Sequence, residues 1–221
     1  DKKVIESQES NCSPELRTNE NGSSYSRLEC DFRFAVYDEV RDKIYATVGY
    51  NLNGQGNSVA IINSSTLEVE SFIPILSSPT HIALSGNGEA LYVISESSSK
   101  VARIDLISGD YSREYYSIPS SSDLRHRNSW SLFSNPQSVE EVVVAVDSGR
   151  SCKGESLISF KNGVMLPNEL AHHDIGSHHQ GYCSKYHRFG FDSDGSFYSF
   201  LNDRTSELIL NVNRFSLNES G

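Results

Sequence analysis

A pattern that recurs along the chain restricts its fold more than any other feature of the sequence. Residues 35–48, AVYDEVRDKIYATV, read as an apolar segment, a polar turn and a second apolar segment that contains a tyrosine. Residues 82–95, IALSGNGEALYVIS, repeat this order, and the two tyrosines, Tyr45 and Tyr92, are 47 residues apart. Looser copies occupy residues 131–146 and 188–201. The spacing predicts one β-sheet unit that is repeated along the chain.

Each copy is followed by a polar loop and a second pair of apolar segments, as in residues 58–75 and 100–118. The third copy continues into a short hairpin signalled by Asn162-Gly163. Alternating apolar and polar residues between turn residues favour strands over helices. Four strands in about 40–55 residues are typical of a β-propeller blade. We therefore expect an all-β propeller with about four four-stranded blades. The expected blades are residues 33–78, 79–127, 128–185 and 186–221, after an N-terminal polar segment of residues 1–32.

The second copy resembles a YVTN-type β-propeller repeat over residues 79–119. The matching residues are Pro79, Gly86, Gly88, Leu91-Tyr92-Val93 and Ile104-Asp105. The first copy matches this pattern fairly well, and the third and fourth match it in outline. The resemblance implies a secreted, periplasmic or surface-layer propeller, with lactonase-like and quinoprotein-like enzymes among the relatives. The repeat motif is structural, and the resemblance implies no catalytic residue.

The fourth repeat reaches Gly221 after about three strands. Propellers of this type usually have about 6–8 blades, although four is possible. We therefore expect either that residues 1–32 complete the fourth blade or that the chain is one part of a larger propeller. In the second case the remaining blades, or a second copy of the chain, would be a partner.

The charge balance restricts the classes of partner. The chain has 19 Lys and Arg against 29 Asp and Glu, which gives a net charge of −10. This argues against nucleic acid, because binding to phosphates needs clustered Lys and Arg. No apolar run reaches the roughly 18 residues of a membrane-spanning helix. A protein or a carbohydrate is therefore the expected partner.

The cysteines indicate the compartment. Cys12, Cys30, Cys152 and Cys183 form no CxxC pair, and an even number at wide spacing fits two disulfides. In a four-stranded blade, the loop after the second strand and the link to the next blade share one end, which favours Cys152–Cys183 and leaves Cys12–Cys30. Disulfides predict a secreted, cell-surface or periplasmic protein. Four buried free thiols are the alternative.

Sequons for N-glycosylation give a second indication of export. The acceptor residues are Asn11, Asn21, Asn63 and Asn218. A chain that is rich in Ser and Asn contains some of these triplets by chance, so they support the assignment as a secreted glycoprotein less strongly than the cysteines do.

Residues 171–187 hold five of the seven histidines. The candidate ligands in this segment are His172, His173, Asp174, His178, His179 and His187. Neutral imidazoles and a carboxylate bind zinc or another divalent transition metal. The spacing matches no established metal motif, so a solvated loop between blades and a pH-responsive surface are the alternatives.

A second candidate site lies at the mouth of the expected channel. His81 and Arg188 occupy matching places at the start of inner strands, and Phe34 takes this place in the first blade. Trp130, beside a basic run, adds a possible sugar-binding or anion-binding edge. The alternatives are side chains that solvate the channel end and a tryptophan that belongs to the core.

The sequence contains no nucleophile elbow, P-loop, dinucleotide fingerprint or haem-attachment motif. We therefore favour an extracellular or cell-surface propeller that acts as a binding and protein-interaction module rather than as an enzyme. The first alternative is a lactonase-like or quinoprotein-like enzyme with its site at the channel mouth. The second is a metal-binding propeller that uses the segment from His172 to His187.

Overall fold

The computed structural model describes residues 12–28, 30–49, 54–75, 78–95, 100–118, 130–138, 140–147, 155–166, 187–191, 193–194, 196–202 and 210–215. Within these ranges the chain forms strands and turns and no helix, which confirms the all-β class. No helix in the same ranges is long and apolar enough to cross a bilayer. The chain divides between Ile82 and Ala83 into two compact units, and Ser95 belongs to the first.

The strands of the described residues all fall at the predicted apolar segments or in the N-terminal region. In chain order they are β1 (Pro14–Thr18), β2 (Ser24–Leu28), β3 (Phe32–Asp38), β4 (Lys43–Val48), β5 (Ser58–Asn63), β6 (Val69–Pro74), β7 (Pro79–Leu84), β8 (Ala90–Ser95), β9 (Lys100–Asp105), β10 (Arg113–Ser117), β11 (Trp130–Ser134), β12 (Glu141–Asp147), β13 (Glu155–Lys161), β14 (Val164–Met165), β15 (His187–Phe191), β16 (Phe197–Asn202) and β17 (Leu210–Phe215).

Consecutive strands pair with one another to form separate sheets. Three sheets have four strands, in the orders β3-β4-β5-β6, β7-β8-β9-β10 and β11-β12-β13-β14. The fourth has three strands within the described residues, in the order β15-β16-β17. The first strand of every sheet lies at one edge, as the inner strand of a propeller blade does.

Strands β1 and β2 form a separate hairpin within the N-terminal polar segment. Pro14 pairs with Leu28, so the same register continued outward places Cys12 opposite Cys30. A disulfide joins these two cysteines, with their Cα atoms 5.1 Å apart. Leu28 packs against the first four-stranded sheet, while most of the other hairpin residues are exposed. The polar segment is thus an ordered, cross-linked hairpin that is anchored at its base.

The core of the first unit includes one face of the first four-stranded sheet. Ala46 and Val48 on β4 and Ala60 and Ile62 on β5 form a cluster that is at most 3% exposed. These residues recur at every second position, as expected for one face of a strand. Each strand therefore supplies its own part of the core through simple alternation.

The core of the second unit lies between the second and third four-stranded sheets. Residues of the two sheets pack in one cluster: Ala90, Tyr92, Ile94, Val101, Leu132, Val142, Val144, Ile158 and Phe160. Tyr92, the tyrosine of the repeat, is fully buried there, and Tyr45 of the first copy is 1% exposed. Large buried side chains at corresponding positions explain why the repeat keeps an aromatic residue there.

Short polar residues at the ends of the inner strands direct the turns that follow. Asp38 accepts hydrogen bonds from the backbone N–H groups of Val40 and Arg41, at 3.0 and 3.1 Å. Ser85 Oγ accepts one from Ala90 N–H at 2.9 Å. Asn135 serves the same purpose in the third sheet. Asp38, Ser85 and Asn135 are buried, so these bonds satisfy polar groups that water cannot reach.

The turn of the second sheet also comes very close to the turn of the third. A Cβ added to Gly86 would overlap the carbonyl group of Pro136. Glycine is therefore required at this place by the approach of another backbone.

In the third sheet, Asn162 and Gly163 have φ values of 51° and 74° and form the tight turn that their sequence predicts.

Candidate functional site

The candidate site begins with an irregularity in β3. Phe32 pairs with Val48 and Ala35 pairs with Ala46, so Arg33 and Phe34 together stand opposite Thr47 alone. Two residues opposite one define a β-bulge, which redirects side chains and often occurs beside functional sites. Regular alternation would place Phe32 and Phe34 on the same face. Instead, Phe32 packs against the core cluster of the sheet and Phe34 is 44% exposed.

The hydroxyl of Thr47 holds this bulge in place. Thr47 is fully buried, and its Oγ1 accepts a hydrogen bond from Phe34 N–H at 3.1 Å. The same oxygen lies 2.7 Å from the carbonyl oxygen of Thr80, to which it donates. One side chain on β4 thereby fixes the backbones of β3 and β7, two strands that have no register with each other. The residues presented by these strands are consequently held at a defined distance.

Phe34 and His81 come into direct contact as a result. Their ring centroids are 3.8 Å apart and their planes differ by 30°. Both residues are the third of their strands, and both strands are the first of their sheets. The Phe34 ring is thus in contact with an imidazole, while 44% of the residue stays exposed. We call these two residues the Phe34–His81 pair.

The protonation state of His81 follows from its surroundings. Burial lowers the pKa of its imidazole below the usual value of 6.5, because the charged form loses solvation. The ring is therefore neutral at pH 7. Its Nδ1 atom is buried and has no hydrogen-bond partner among the residues that the structure describes. An orphaned N–H group is costlier than an orphaned acceptor, so the ring proton belongs on Nε2.

A carboxylate and a guanidinium group lie beside the start of β3. A Cβ added to Gly49 would be 2.9 Å from Asp31 Oδ2 and 3.1 Å from Arg33 Nε. The two charged groups therefore converge over the backbone of Gly49, where glycine leaves room for them. Both residues are exposed. They bring a hydrogen-bond acceptor and a set of donors together over Gly49, and they lie three residues and one residue before Phe34 in the chain.

The other predicted channel-mouth residues are placed by their strands. Trp130 is the first residue of β11 and Arg188 is the second residue of β15. Both strands lie at the edges of their sheets, as do the strands that contain Phe34 and His81. The surroundings of these two side chains lie outside what the structure describes. Their part in a site therefore stays a prediction.

The predicted metal ligands and the second disulfide fall largely outside the described residues. These are His172, His173, Asp174, His178, His179, Cys152 and Cys183. His187 begins β15, but its side chain is not among those described. Among the residues that the structure describes, no group of three or more His, Cys, Asp or Glu is arranged to hold a metal ion. The histidine segment therefore has to be tested in solution.

Two of the four sequon asparagines lie among the described residues, and they differ in their hydrogen bonds. Asn21 is exposed in the turn of the β1–β2 hairpin, and its Oδ1 accepts a bond from Ser23 N–H at 3.2 Å. Asn63 Oδ1 accepts bonds from two backbone N–H groups at 3.0 Å, and its Nδ2 donates to Glu70. Asn63 thus organises the turn after β5. Asn11 and Asn218 lie outside the described residues.

A polar cluster in the second unit was not anticipated from the sequence. Arg103 donates to both carboxylate oxygens of Glu140, at 2.8 and 3.1 Å, and Tyr92 donates to the same carboxylate at 3.3 Å. Burial and the negative charge of Glu140 raise the pKa of Tyr92 to about 12. The cluster ties the second sheet to the turn that precedes β12. Its residues are satisfied by one another, which marks it as a structural element.

No protein-family model and no curated protein matches this sequence. Solved structures do resemble it. Hydrazine synthase of Kuenenia stuttgartiensis matches with a TM-score of 0.54 and 13% identity, over 85% of this chain and 46% of that one. Virginiamycin B lyase of Staphylococcus aureus gives 0.51 and 13%, over 84% and 55%. The β-propeller domain of Cps50 (Swd1) from Myceliophteria thermophila gives 0.53 and 14%, over 84% and 52%.

The fold is a β-propeller. The sheet order and these neighbours together confirm the class predicted from the repeat. The YVTN-type assignment stays a resemblance, since no family model supports it. The chain spans about half of the length of each of the three structures. At this level of identity the likeness concerns the fold, and fold does not imply function.

Proposed function

We propose that the protein is an extracellular or cell-surface β-propeller that acts as a binding module, and that the Phe34–His81 pair contacts its ligand. The observation that carries the proposal is Phe34, which stays 44% exposed although its ring contacts His81 and its backbone is positioned by a hydrogen-bonded bulge. An exposed aromatic ring that is fixed in advance gives contact area at little cost in conformational entropy.

The remaining observations fit a location outside the cytosol. The Cys12–Cys30 disulfide is compatible with an oxidising compartment. Asn21 is a sequon residue at an exposed hairpin turn, where a glycan would point into solvent. The proposed partners are a protein or a carbohydrate. Further blades, from a second copy of this chain or from a longer one, are an additional proposed partner.

The test is a binding assay on an array that carries both glycans and secreted proteins, probed with the labelled, unreduced chain. We expect saturable binding that Phe34→Ala weakens at least tenfold. The matched control is Tyr37→Ala, because Tyr37 is an aromatic residue of the same strand with 52% exposure and lies outside the ring contact. Melting curves of both variants report whether they fold. No saturable binding, or equal binding by a folded Phe34→Ala variant, would show the proposal to be wrong.

The second candidate function is catalysis at the same place, and the neutral state of His81 favours it. A neutral imidazole that is protonated on Nε2 can donate a hydrogen bond to a developing oxyanion, whereas its buried Nδ1 atom cannot reach a substrate as a general base. The two functions are separated by the fate of the bound compound. A ligand recovered chemically unchanged after prolonged incubation supports the binding module. A ligand that is converted by the wild type and not by His81→Gln supports the enzyme.

A further inference from the structure

We propose that the ligand of the Phe34–His81 pair is a neutral carbohydrate. One sugar ring packs on the open surface of Phe34, and its hydroxyl groups bond to Asp31 and Arg33. This inference rests on the proposed binding function and names the class of ligand. It is argued from the form of the aromatic surface, from the charges beside it and from the size of the apolar area.

The aromatic surface has the form that a sugar ring requires. The face of an aromatic ring carries partial negative charge, and it attracts the weakly positive C–H groups of an apolar sugar face. His81 contacts Phe34 with 3.8 Å between the two ring centroids, and 44% of Phe34 stays exposed. The exposed part of Phe34 is available to a second flat group.

Asp31 and Arg33, which lie shortly before Phe34 in the chain, carry charges that suit hydroxyl groups. Each sugar hydroxyl both donates and accepts hydrogen bonds, and the convergent Asp31 carboxylate and Arg33 guanidinium supply one acceptor and several donors. Hydrogen bonds to ionised groups are about twice as strong as those between neutral groups. The two charges cancel and His81 adds none, so the site attracts no ion in particular. The net charge of −10 further disfavours an anionic ligand.

The apolar area near Phe34 is small, which favours a sugar over a protein. A stable protein interface covers about 800 Å² on each partner. Among the described residues of the first unit, the other large apolar side chains with strong exposure are Leu16, Tyr25, Tyr37 and Val40. The first two belong to the β1–β2 hairpin, and the last two lie at and beyond the far end of β3. Phe34 thus offers a single ring, which matches one sugar unit.

The inference is tested by calorimetric titration of the unreduced chain with maltotriose, cellotriose, mannotriose and chitotriose. A heparin hexasaccharide serves as the anionic comparison. We expect at least one neutral trisaccharide to bind, and Phe34→Ala to weaken this binding tenfold or more while Tyr37→Ala leaves it unchanged. Gly49→Ala fills the space between Asp31 and Arg33 and is expected to weaken binding at least threefold without loss of fold.

The outcomes separate this inference from the proposed function. Failure of all four neutral sugars to bind at millimolar concentration, combined with binding to secreted proteins on the array, overturns the carbohydrate assignment and leaves the binding module intact. Sugar binding that is equally strong in a folded Phe34→Ala variant overturns the assignment as well. Tighter binding of the heparin hexasaccharide than of every neutral sugar also contradicts it. The opposite charges of Asp31 and Arg33 cancel, so the site should bind a neutral sugar more tightly than an anion.

Discussion

The guanidinium group of Arg103 makes a two-point contact with the carboxylate of Glu140, with N–O distances of 2.8 and 3.1 Å. The two side chains are 18% and 30% exposed, so water screens the pair only in part. The contact joins β9 to the turn before β12, across the face where the second and third sheets pack.

Removal of one member of this pair is expected to destabilise the protein. Among the described side chains, Arg103→Ala leaves the Tyr92 hydroxyl as the donor to the Glu140 carboxylate, and we expect a loss of about 1–3 kcal/mol in the free energy of unfolding. Urea denaturation measures it. Tyr92→Phe is the control, since it keeps the two-point contact between Arg103 and Glu140 and should cost less. An Arg103→Ala variant as stable as the wild type would show that the pair contributes nothing.

A methyl group at Gly86 is expected to disrupt the contact between two turns. Gly86→Ala places a Cβ into the Pro136 carbonyl, so one of the two backbones has to move. We expect a cost of about 2–3 kcal/mol, within the range of severe packing errors. Gly109→Ala is the control, because that site is open and the cost there is the strain of its φ of 74°, about 1 kcal/mol. Equal midpoints for the two variants in urea denaturation would contradict the expectation.

The lowered pKa of His81 predicts a dependence of stability on pH. In the unfolded chain this imidazole takes up a proton near pH 6.5, whereas in the folded state it does so at a lower pH. The free energy of unfolding therefore falls as the pH drops below about 6.5, through the interval between the two pKa values. Urea denaturation at pH 7.5 and 5.0 measures the change. His81→Gln should lose less stability over this interval, and an identical loss would refute the prediction.

Loss of the Cys12–Cys30 disulfide is expected to loosen the hairpin. The bond closes a loop with a sequence separation of 18, and its contribution to local stability is about 3 kcal/mol. We expect the Cys12→Ser/Cys30→Ser variant to be cut by trypsin after Arg17 and Arg27 much faster than the wild type. Cleavage within the sheets is the internal reference. Unchanged rates at both arginines would mean that the anchor at Leu28 holds the hairpin without the disulfide.

The metal-binding alternative predicts that the histidine segment binds one divalent transition-metal ion. A native mass spectrum of the unreduced chain, recorded with Zn²⁺ and again after chelation, reports the ion by mass. The variant with alanine at positions 172, 173, 178 and 179 should not bind it, because the imidazole ligands are gone. His126→Ala, outside the segment, is the control. Equal binding by the quadruple variant would exclude these histidines as ligands.

Local patterns are sufficient to predict the fold class and the strands of the repeats, but not the hairpin of β1 and β2 in the polar segment. Tyr45 and Tyr92 mark buried second strands, and Asn162-Gly163 marks a turn, because each of these features depends on residues close in the chain. Contacts between distant residues were not predictable in this way. The bond from Thr47 to Thr80 depends on the relative position of two strands. The pair of Arg103 and Glu140 likewise has no local signal in the sequence.

In the candidate site, too, the sequence predicts the positions of residues along their strands but not the contacts between strands. His81 and Phe34 were placed in corresponding positions by the repeat, which depends on strand order. Their ring contact depends on the bulge, and the bulge breaks the alternation of side chains from which the face of a strand residue is predicted. Asp31, which precedes β3, and Arg33, its second residue, are not singled out by the sequence, because exposed charged residues are common at the start of a strand. The glycine at position 49 becomes informative once its neighbours in space are known.

The bulge at Arg33 and Phe34 has a consequence for how this strand can vary among related chains. Side chains alternate between the two faces of the sheet before the bulge and after it, but the extra residue shifts this alternation by one position. A deletion of one residue there would restore a regular ladder and leave the rest of β3 paired as before. Deletion of Phe34 would remove the ring contact, and deletion of Arg33 would remove the guanidinium group of the candidate site. The presence of the site is therefore decided by the length of the strand as much as by its composition, and relatives should be compared for gaps at this point before they are compared for substitutions.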